Sequence, residues 1–185
     1  MEPTAEKASE KAIDLRGVTV RFGPVVANRE VSVDAAAGEV HAIVGENGAG
    51  KSTLMRALYG MVPIEAGEIR VRGERVMRPS PSEAIRRGVG MVHQHFMLVD
   101  TLTVAENVVL GQEPARRLGG LLDVARAEAE VEALAQRHGL AVDARRLVGD
   151  LSVGEQQRVE ILKTLYRGAR VLILDEPTAA LGVKQ

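Results

Sequence analysis

Residues 45–53, GENGAGKST, constrain what this chain can fold into more than any other stretch. The glycines and the Lys-Ser pair fit the pattern G-x-x-x-x-G-K-[ST], whose loop presents several backbone N–H groups to phosphate oxygens. The apolar run EVHAIVG precedes the loop and predicts a strand. The run KSTLMRALYG follows it, with Gly60 as a stop, and Leu54, Leu58 and Met61, the residue after the run, have helical spacing. A strand, a glycine loop and a helix in this order favour a phosphate site over an ordinary glycine turn.

The residue types in the loop suit a nucleotide that carries Mg²⁺. Gly45, Gly48 and Gly50 supply backbone freedom, and the N-terminus of the following helix adds its dipole. We expect Lys51 to neutralise the β- and γ-phosphate oxygens and Ser52 to ligate Mg²⁺. The residues expected to contact the nucleotide are Gly45, Glu46, Asn47, Gly48, Ala49, Gly50, Lys51, Ser52 and Thr53.

A second motif, VLILDEP, places Asp175 and Glu176 at the end of an apolar run that predicts a buried strand. This is the strand edge at which open α/β sheets bind ligands. Asp175 can reach the Mg²⁺ ion there, and Glu176 can polarise the attacking water. Hydrophobic strands often end in an acidic turn, so the phosphate loop earlier in the chain is what makes this a Walker B motif.

The remaining patterns predict further strands and helices of an α/β protein. IDLRGVTVRFG and REVSVDA alternate apolar residues on either side of Gly23 and Pro24, which predicts two antiparallel strands. GEIRVRGERV predicts a strand pair, PSEAIRRG a short helix, and VGMVHQ a strand. From Thr103 to about Arg146 the pattern is helical, with Asp123 as an N-cap and Gly139 after a last turn. GEQQRVEILKTLYRG predicts one more helix.

Composition excludes several classes of protein. The formal net charge of -1 gives no general electrostatic basis for binding nucleic acid. The absence of cysteine excludes disulfides and thiolate metal sites. The charged start, MEPTAEKASEK, predicts a disordered N-terminus at residues 1–11 and no signal peptide. No run approaches the ~18 apolar residues of a membrane-spanning helix.

Three further sequence features narrow the class of phosphate-loop protein. LSVGEQQR, residues 151–158, resembles the signature motif of ATP-binding cassette (ABC) ATPases. Gln94, in VHQHF, resembles the glutamine loop of that family, and Phe22 matches its adenine-stacking aromatic residue. The resemblance runs through nearly all of the chain after residue 12. It implies an ABC ATPase core with an N-terminal antiparallel β layer, and an incomplete domain at 12–185 with a helical subdomain at about 95–165.

The resemblance also implies roles for individual residues. Gln94 would contact Mg²⁺ and link γ-phosphate chemistry to a membrane subunit, with Glu176 as the catalytic carboxylate. Ser152 and Gly154 would close on the γ-phosphate of an ATP that a partner cassette holds. Val153 and Glu155 stand where Gly and Gln are commoner in the family. An alternative interpretation is that Ser152 only caps a helix.

Longer segments resemble one subclass of the family. GVGMVHQHFMLVDTLTVAENVVLG and LSVGEQQRVEILKTLYRGARVLILDEPTA are most similar to the first of two tandem cassettes in importers of simple sugars or nucleosides. That resemblance implies an ATP hydrolase at the cytoplasmic face of the cell membrane. The implied partners are a second cassette, transmembrane permease subunits and, indirectly, a solute-binding protein, but no nucleic acid.

The end of the sequence departs from the family pattern. The family expects an aspartate in the loop that follows the Walker B motif, where this chain has Gly182 after Leu181, and then a switch histidine on a further central strand, before which the sequence stops. We therefore expect a truncated cassette that lacks C-terminal strands, binds ATP and hydrolyses it poorly by itself.

Two other functions share part of this pattern. A soluble ABC-type ATPase of translation or DNA repair would carry every nucleotide motif, and would copurify with ribosomes or DNA. A small-molecule kinase with a phosphate loop would lack the signature motif and need an acceptor pocket.

Overall fold

The computed structural model describes residues 11–94, 96–114 and 122–175, and the chain divides into two compact units, 1–87 and 88–185. The predicted limits of the domain and of its helical subdomain stay predictions. Residues 1–10, most of the N-terminal segment predicted to be disordered, lie outside the described residues.

The first unit contains an antiparallel sheet. Its strands are β1 (Lys11–Phe22), β2 (Val25–Ala36), β3 (Ala66–Val71) and β4 (Glu74–Arg75). They are arranged in the order β2-β1-β3-β4, and every neighbouring pair is antiparallel. The hairpin around Gly23 and Pro24 and the later strand pair are therefore confirmed. The central strand β1 supplies much of the buried apolar surface through Ile13, Leu15, Val18 and Val20.

Two helices complete the first unit as predicted. α1 (Lys51–Leu58) packs on β1 and β2 and buries Leu54 and Leu58. The helix ends before Gly60, but Met61 lies beyond it and is half exposed, so that residue does not belong to the apolar face. α2 (Pro81–Arg86) begins at a proline, and the side chain of Ser80 accepts a hydrogen bond from the Glu83 N–H.

The strand predicted from EVHAIVG is wrong. Residues 39–46 have no regular secondary structure, and Val40 and Val44 are 98% and 90% exposed. Within residues 11–87, none of the described strands pairs with this run. An apolar run favours burial, but a strand forms only where a neighbouring backbone supplies the ladder of hydrogen bonds.

The second unit combines a short parallel sheet with helices. β5 (Val89–Val92) pairs in parallel with β6 (Val171–Leu174). Its described α-helices are α3 (Val104–Val109), α4 (Val124–His138) and α5 (Val153–Tyr166). Asp123 caps the start of α4 and Gly139 follows its end with a φ of 65°, which confirms the predicted bounds of that helix. In the parts of the chain described here, no helix is long and apolar enough to cross a membrane.

Small aliphatic side chains form the core of the second unit, in keeping with an aromatic content of 2%. Its buried members are Val104, Ala105, Val108, Val109, Ala127, Val131, Ala135, Ala144, Val148, Leu151, Val159 and Leu162. The prediction that β6 is a buried strand is wrong, because Leu172 and Leu174 are 37% and 42% exposed and, of its four residues, only Ile173 is buried. Alternate side chains of a strand point to opposite faces, and the described residues cover one face of β6.

Candidate nucleotide-binding site

The glycine loop leads directly into α1, as the motif predicts. Gly48 and Gly50 have left-handed φ values of 81° and 85°, whereas the φ of Gly45 is not in that region. Gly50 is the N-cap of α1, and no side chain caps the helix there. The first amides of a helix have no partner within it, and the helix dipole makes that end positive. The local backbone thus has the form that binds a phosphate group.

The Lys51 ammonium lies against the first carbonyl groups of the loop. Its Nζ atom donates to the carbonyl oxygens of Gly45 and Glu46 at 2.7 and 2.8 Å. The Ala49 N–H donates to the Glu46 carbonyl oxygen at 3.2 Å and tightens the same turn. A positive charge is therefore held on the loop itself, next to the helix N-terminus.

Other predicted contacts of ATP also lie in the first unit. Ser52 and Thr53 follow Lys51 in the first turn of α1 and are partly exposed, while Glu46, Asn47 and Ala49 are exposed in the loop. Phe22 is the last residue of β1, and its side chain is 49% exposed. An exposed aromatic ring at a turn is free to stack on a planar ligand.

In the second unit, the structure brings Gln94 and Asp175 to one edge of the β5–β6 sheet. The two strands are parallel and in register, with Val92 opposite Leu174. Gln94 follows β5 by two positions and Asp175 follows β6 by one, and the Asp175 N–H donates to the Val92 carbonyl oxygen at 3.1 Å. Asp175 is 8% exposed and Gln94 is exposed. Glu176, the predicted catalytic carboxylate, lies outside the described residues.

Ser152 is the N-cap of α5. Its hydroxyl accepts from the Glu155 N–H at 3.4 Å, and its own N–H donates to Glu155 Oε2 at 2.8 Å. These reciprocal bonds form a capping box, so Ser152 does cap α5, while the interpretation that it only caps the helix stays a prediction. The cap does not exclude a second role, because Ser152 is exposed at the helix N-terminus.

A carboxylate occupies part of this helix N-terminus. The Ser152 hydroxyl donates to Glu155 Oε2 at 2.7 Å, and Arg146 Nη1 donates to Glu155 Oε1 at 2.7 Å. The hydrogen bonds from the hydroxyl and N–H of Ser152, with the nearby Arg146 charge, lower the pKa of Glu155 to about 2. Glu155 is consequently ionised at neutral pH, and an incoming phosphate would compete with it for the Ser152 hydroxyl.

Gly154 has no packing role within the described chain. A Cβ atom added there would meet no atom within 4 Å, and the backbone φ is not in the left-handed region. Glycine in a helix costs about 1 kcal/mol relative to alanine. The described neighbours of Gly154 therefore do not explain why the first turn of α5 carries a glycine.

Comparison with known proteins decides the family of this chain. The family model described as ABC transporter matches residues 28–179, which include the glycine loop, Gln94, the segment that begins α5, and Asp175.

The chain belongs to the ABC transporter family.

Relatives of this cassette include proteins named for import. The guanosine import ATP-binding protein NupO of Bacillus subtilis (strain 168) is 54% identical over 93% of this chain and 33% of that protein. The nucleoside import ATP-binding protein NupA of Lactococcus lactis subsp. cremoris (strain MG1363) is 52% identical over 94% of this chain and 34% of that protein. The ribose import ATP-binding protein RbsA 3 of Rubrobacter xylanophilus (strain DSM 9941 / JCM 11954 / NBRC 16129 / PRD-1) is 50% identical over 95% and 35%. The chain spans about a third of the length of these relatives.

Solved structures of ABC cassettes share the fold. A nucleotide-free ATP-binding cassette from an ABC transporter has a TM-score of 0.75 and 22% identity over 90% of this chain and 69% of that chain. A cassette in its ADP conformation has a TM-score of 0.77 and 24% identity over 94% and 70%. The predicted ABC ATPase fold class is thereby confirmed.

One residue that contacts the glycine loop lies outside the sequence motifs described above. Asn28, on β2, is 7% exposed, and its Nδ2 atom donates to the Gly50 carbonyl oxygen at 3.2 Å. Asparagine is depleted in strands, so its occurrence inside a strand pattern is the signal that could have indicated a special contact. The partner of that contact could not be read from the strand itself.

Proposed function

We propose that this chain is the ATP-binding subunit, or a part of it, of an ABC importer. In this proposal the binding and hydrolysis of MgATP drive uptake of a simple sugar or nucleoside through partner permease proteins. Family membership supports the general activity, and the import proteins among its relatives support the direction of transport.

The observation that carries the proposal is the loop before α1. A left-handed Gly50 opens the helix without a side-chain cap, and the Lys51 ammonium lies on the loop carbonyls. Such a loop binds the phosphates of a nucleotide through backbone N–H groups and neutralises their charge through the lysine. Phe22 would stack on adenine, because its ring is exposed at the end of β1.

The chemistry of the donor groups fits Mg²⁺. Ser52 offers a hydroxyl oxygen, Gln94 an amide oxygen and Asp175 a carboxylate, and hard oxygen ligands are the ones that Mg²⁺ takes in phosphate sites. A bound Mg²⁺ ion would neutralise charge on the phosphate oxygens. Asp175 and Gln94 suit this role because both follow parallel strands at the same sheet edge. By family resemblance, Glu176 would then take the proton of the attacking water.

Ser152 and Gly154 are proposed to bind the γ-phosphate of an ATP held by a second cassette. The exposed helix N-terminus and the open space at Gly154 leave room for a group from another chain. The partner cassette, the permease subunits and a solute-binding protein would complete the transporter. The chain would then lie at the cytoplasmic face of the membrane as a peripheral subunit.

Calorimetric titration with ATP tests the nucleotide site. We expect saturable binding that strengthens with Mg²⁺, and a loss of roughly tenfold or more in affinity on Lys51→Met, because a charge-assisted bond to phosphate is removed. Lys11→Met is the matched control, since Lys11 lies on β1 and pairs with Asp34 at 3.3 Å. Asp175→Asn should weaken the Mg²⁺ dependence more than the affinity for ATP alone. Equal binding by the parent chain and Lys51→Met would contradict the proposed loop function.

Uptake measurements test the transport role. In cells that carry the gene, its deletion should abolish uptake of one radiolabelled solute among guanosine, ribose and glucose, and restoring the gene should recover it. The purified complex should contain permease subunits. Copurification with ribosomes or DNA, together with unchanged uptake of every solute, would instead favour a soluble ABC-type ATPase.

A further inference from the structure

Two buried charged residues of α5 hold the backbone of one residue in the segment after Gln94. The Met97 N–H donates to Glu160 Oε1 at 2.5 Å, and Lys163 Nζ donates to the Met97 carbonyl oxygen at 2.8 Å. Glu160 is 5% exposed and Lys163 is 8% exposed. The backbone N–H and C=O groups of Met97 are therefore both bound by side chains that lie about one helical turn apart.

The same pattern repeats two residues later. The Val99 N–H donates to Asn107 Oδ1 at 2.8 Å, and Asn107 Nδ2 donates to the Val99 carbonyl oxygen at 3.0 Å. Asn107 lies on α3 and is fully buried. Met97 and Val99 therefore each have both backbone polar groups bonded to buried side chains of the helices.

Charged groups are costly to bury, and apolar residues of similar volume would often give an equally stable fold. Burial lowers the pKa of Lys163, and the charge of Glu160 opposes that change. The carboxylate and ammonium compensate each other while each makes a directional bond to Met97. Two apolar side chains could fill the same volume, but they could not make the directional bonds that fix the position of Met97 along α5.

The position of Met97 in the sequence indicates a role for these bonds. Met97 lies three positions after Gln94, and α5, which holds it, begins at the Ser152 cap. We propose that Glu160 and Lys163 are positioning residues that make residues 96–99 move as one body with α5. This role depends on the proposed function. Glu160 and Lys163 would connect the start of α5, at Ser152, to Gln94, and neither side chain would contact the nucleotide.

Spin-label distances test this rigid link in the full chain. The sequence contains no cysteine, so Met97→Cys and Val153→Cys introduce unique labelling sites at side chains that are 67% and 49% exposed. The parent pair should give a narrow distance distribution. The combined Glu160→Ala and Lys163→Met substitutions should broaden it.

Three controls separate positioning from a general loss of structure. A second label pair at Val124 and Val153 reports on α4 and α5 and should keep its width in every variant. The single substitution Glu160→Gln should keep the narrow Met97–Val153 distribution, because the glutamine amide oxygen can accept the same bond from the Met97 N–H. Glu132→Gln, which removes a carboxylate from the exposed face of α4, should change neither distribution. An unchanged Met97–Val153 width in the Ala/Met double variant would overturn the proposal.

Amide hydrogen exchange provides a measurement that needs no substitution. In the parent chain the Met97 amide should exchange at least roughly tenfold more slowly than in an unstructured peptide, the factor expected for one hydrogen bond to a charged group. Exchange at the peptide rate would overturn the proposal even if the double variant failed to fold. Neither measurement uses ATP, so absent nucleotide binding would refute the proposed function and leave this inference testable.

Discussion

Asn28, in β2, donates its side-chain amide to the carbonyl oxygen of Gly50 at 3.2 Å and so ties the sheet to the first residue before α1. The two elements touch directly at this point. A Cβ atom at Gly50 would lie 2.5 Å from the Ala27 carbonyl oxygen and 2.7 Å from Asn28 Nδ2. The shape of the phosphate loop is therefore set by its contact with β2 as well as by its own glycines.

This contact predicts a difference between two glycines of the loop. Gly48→Ala should cost about 1 to 2 kcal/mol of unfolding free energy, because alanine is strained at its left-handed φ but has open space around it. Gly50→Ala should cost about 1 to 3 kcal/mol more, because its methyl group would also overlap the β2 backbone. Urea unfolding measures both losses of unfolding free energy, provided that the variants and the parent chain show the same dependence of free energy on urea concentration. Equal losses would show that the close approach to β2 has no energetic consequence.

Phe22 should matter for nucleotide affinity and little for stability. Its ring is about half exposed, and stacking on a base contributes about 1 to 3 kcal/mol, so Phe22→Ala should weaken ATP binding roughly five- to 150-fold. Val25→Ala is the matched control, since Val25 begins β2 across the same turn and is 61% exposed. Calorimetric titration measures the affinities. If Phe22→Ala and Val25→Ala bound ATP with the same affinity, Phe22 would not belong to the nucleotide site.

Ser152 and Thr103 offer a test that separates capping from catalysis. Both residues form capping boxes, with Glu155 on α5 and with Glu106 on α3. Ser152→Ala and Thr103→Ala should each lower stability by about 1 kcal/mol. Only Ser152→Ala should slow ATP turnover by the assembled complex, because only Ser152 is proposed to reach a phosphate. If both variants slow turnover equally, the loss comes from helix stability alone.

Glu155 should titrate far below an ordinary glutamate. Its pKa is lowered from 4.5 to about 2 by the bonds from Ser152 and by the Arg146 charge, so these bonds stabilise the fold fully above pH 4.5. That contribution is lost as the pH falls from 4.5 through about 2, where the folded carboxylate takes up its proton. Carboxyl-carbon chemical shifts should give a midpoint near 2, and Ser152→Ala should move it upwards. A midpoint near 4.5 in the parent chain would contradict the observed capping geometry.

Local sequence signals predicted the parts of this structure that depend on a few neighbouring residues. The glycine loop opens α1, Pro81 begins α2, and Asp123 and Gly139 bound α4, as expected from their capping and turn preferences. Such signals act through the backbone of the next three or four residues, so they keep their meaning wherever the segment packs. The resemblance to ABC ATPases, confirmed by the family match, rests on the same kind of short motif.

Long-range packing decided the remaining features. EVHAIVG is apolar enough for a strand but has no ladder partner within its unit, and the exposure of Leu172 depends on what covers β6. Asn28 meets Gly50 across 22 positions, and Met97 meets Glu160 across 63. The periodicity of a sequence indicates which residues prefer burial or hydrogen bonds. It does not indicate their partners, because these depend on which distant segments pack together. The sequence by itself therefore determined the family and its nucleotide motifs, whereas tertiary structure decided which side chains support them.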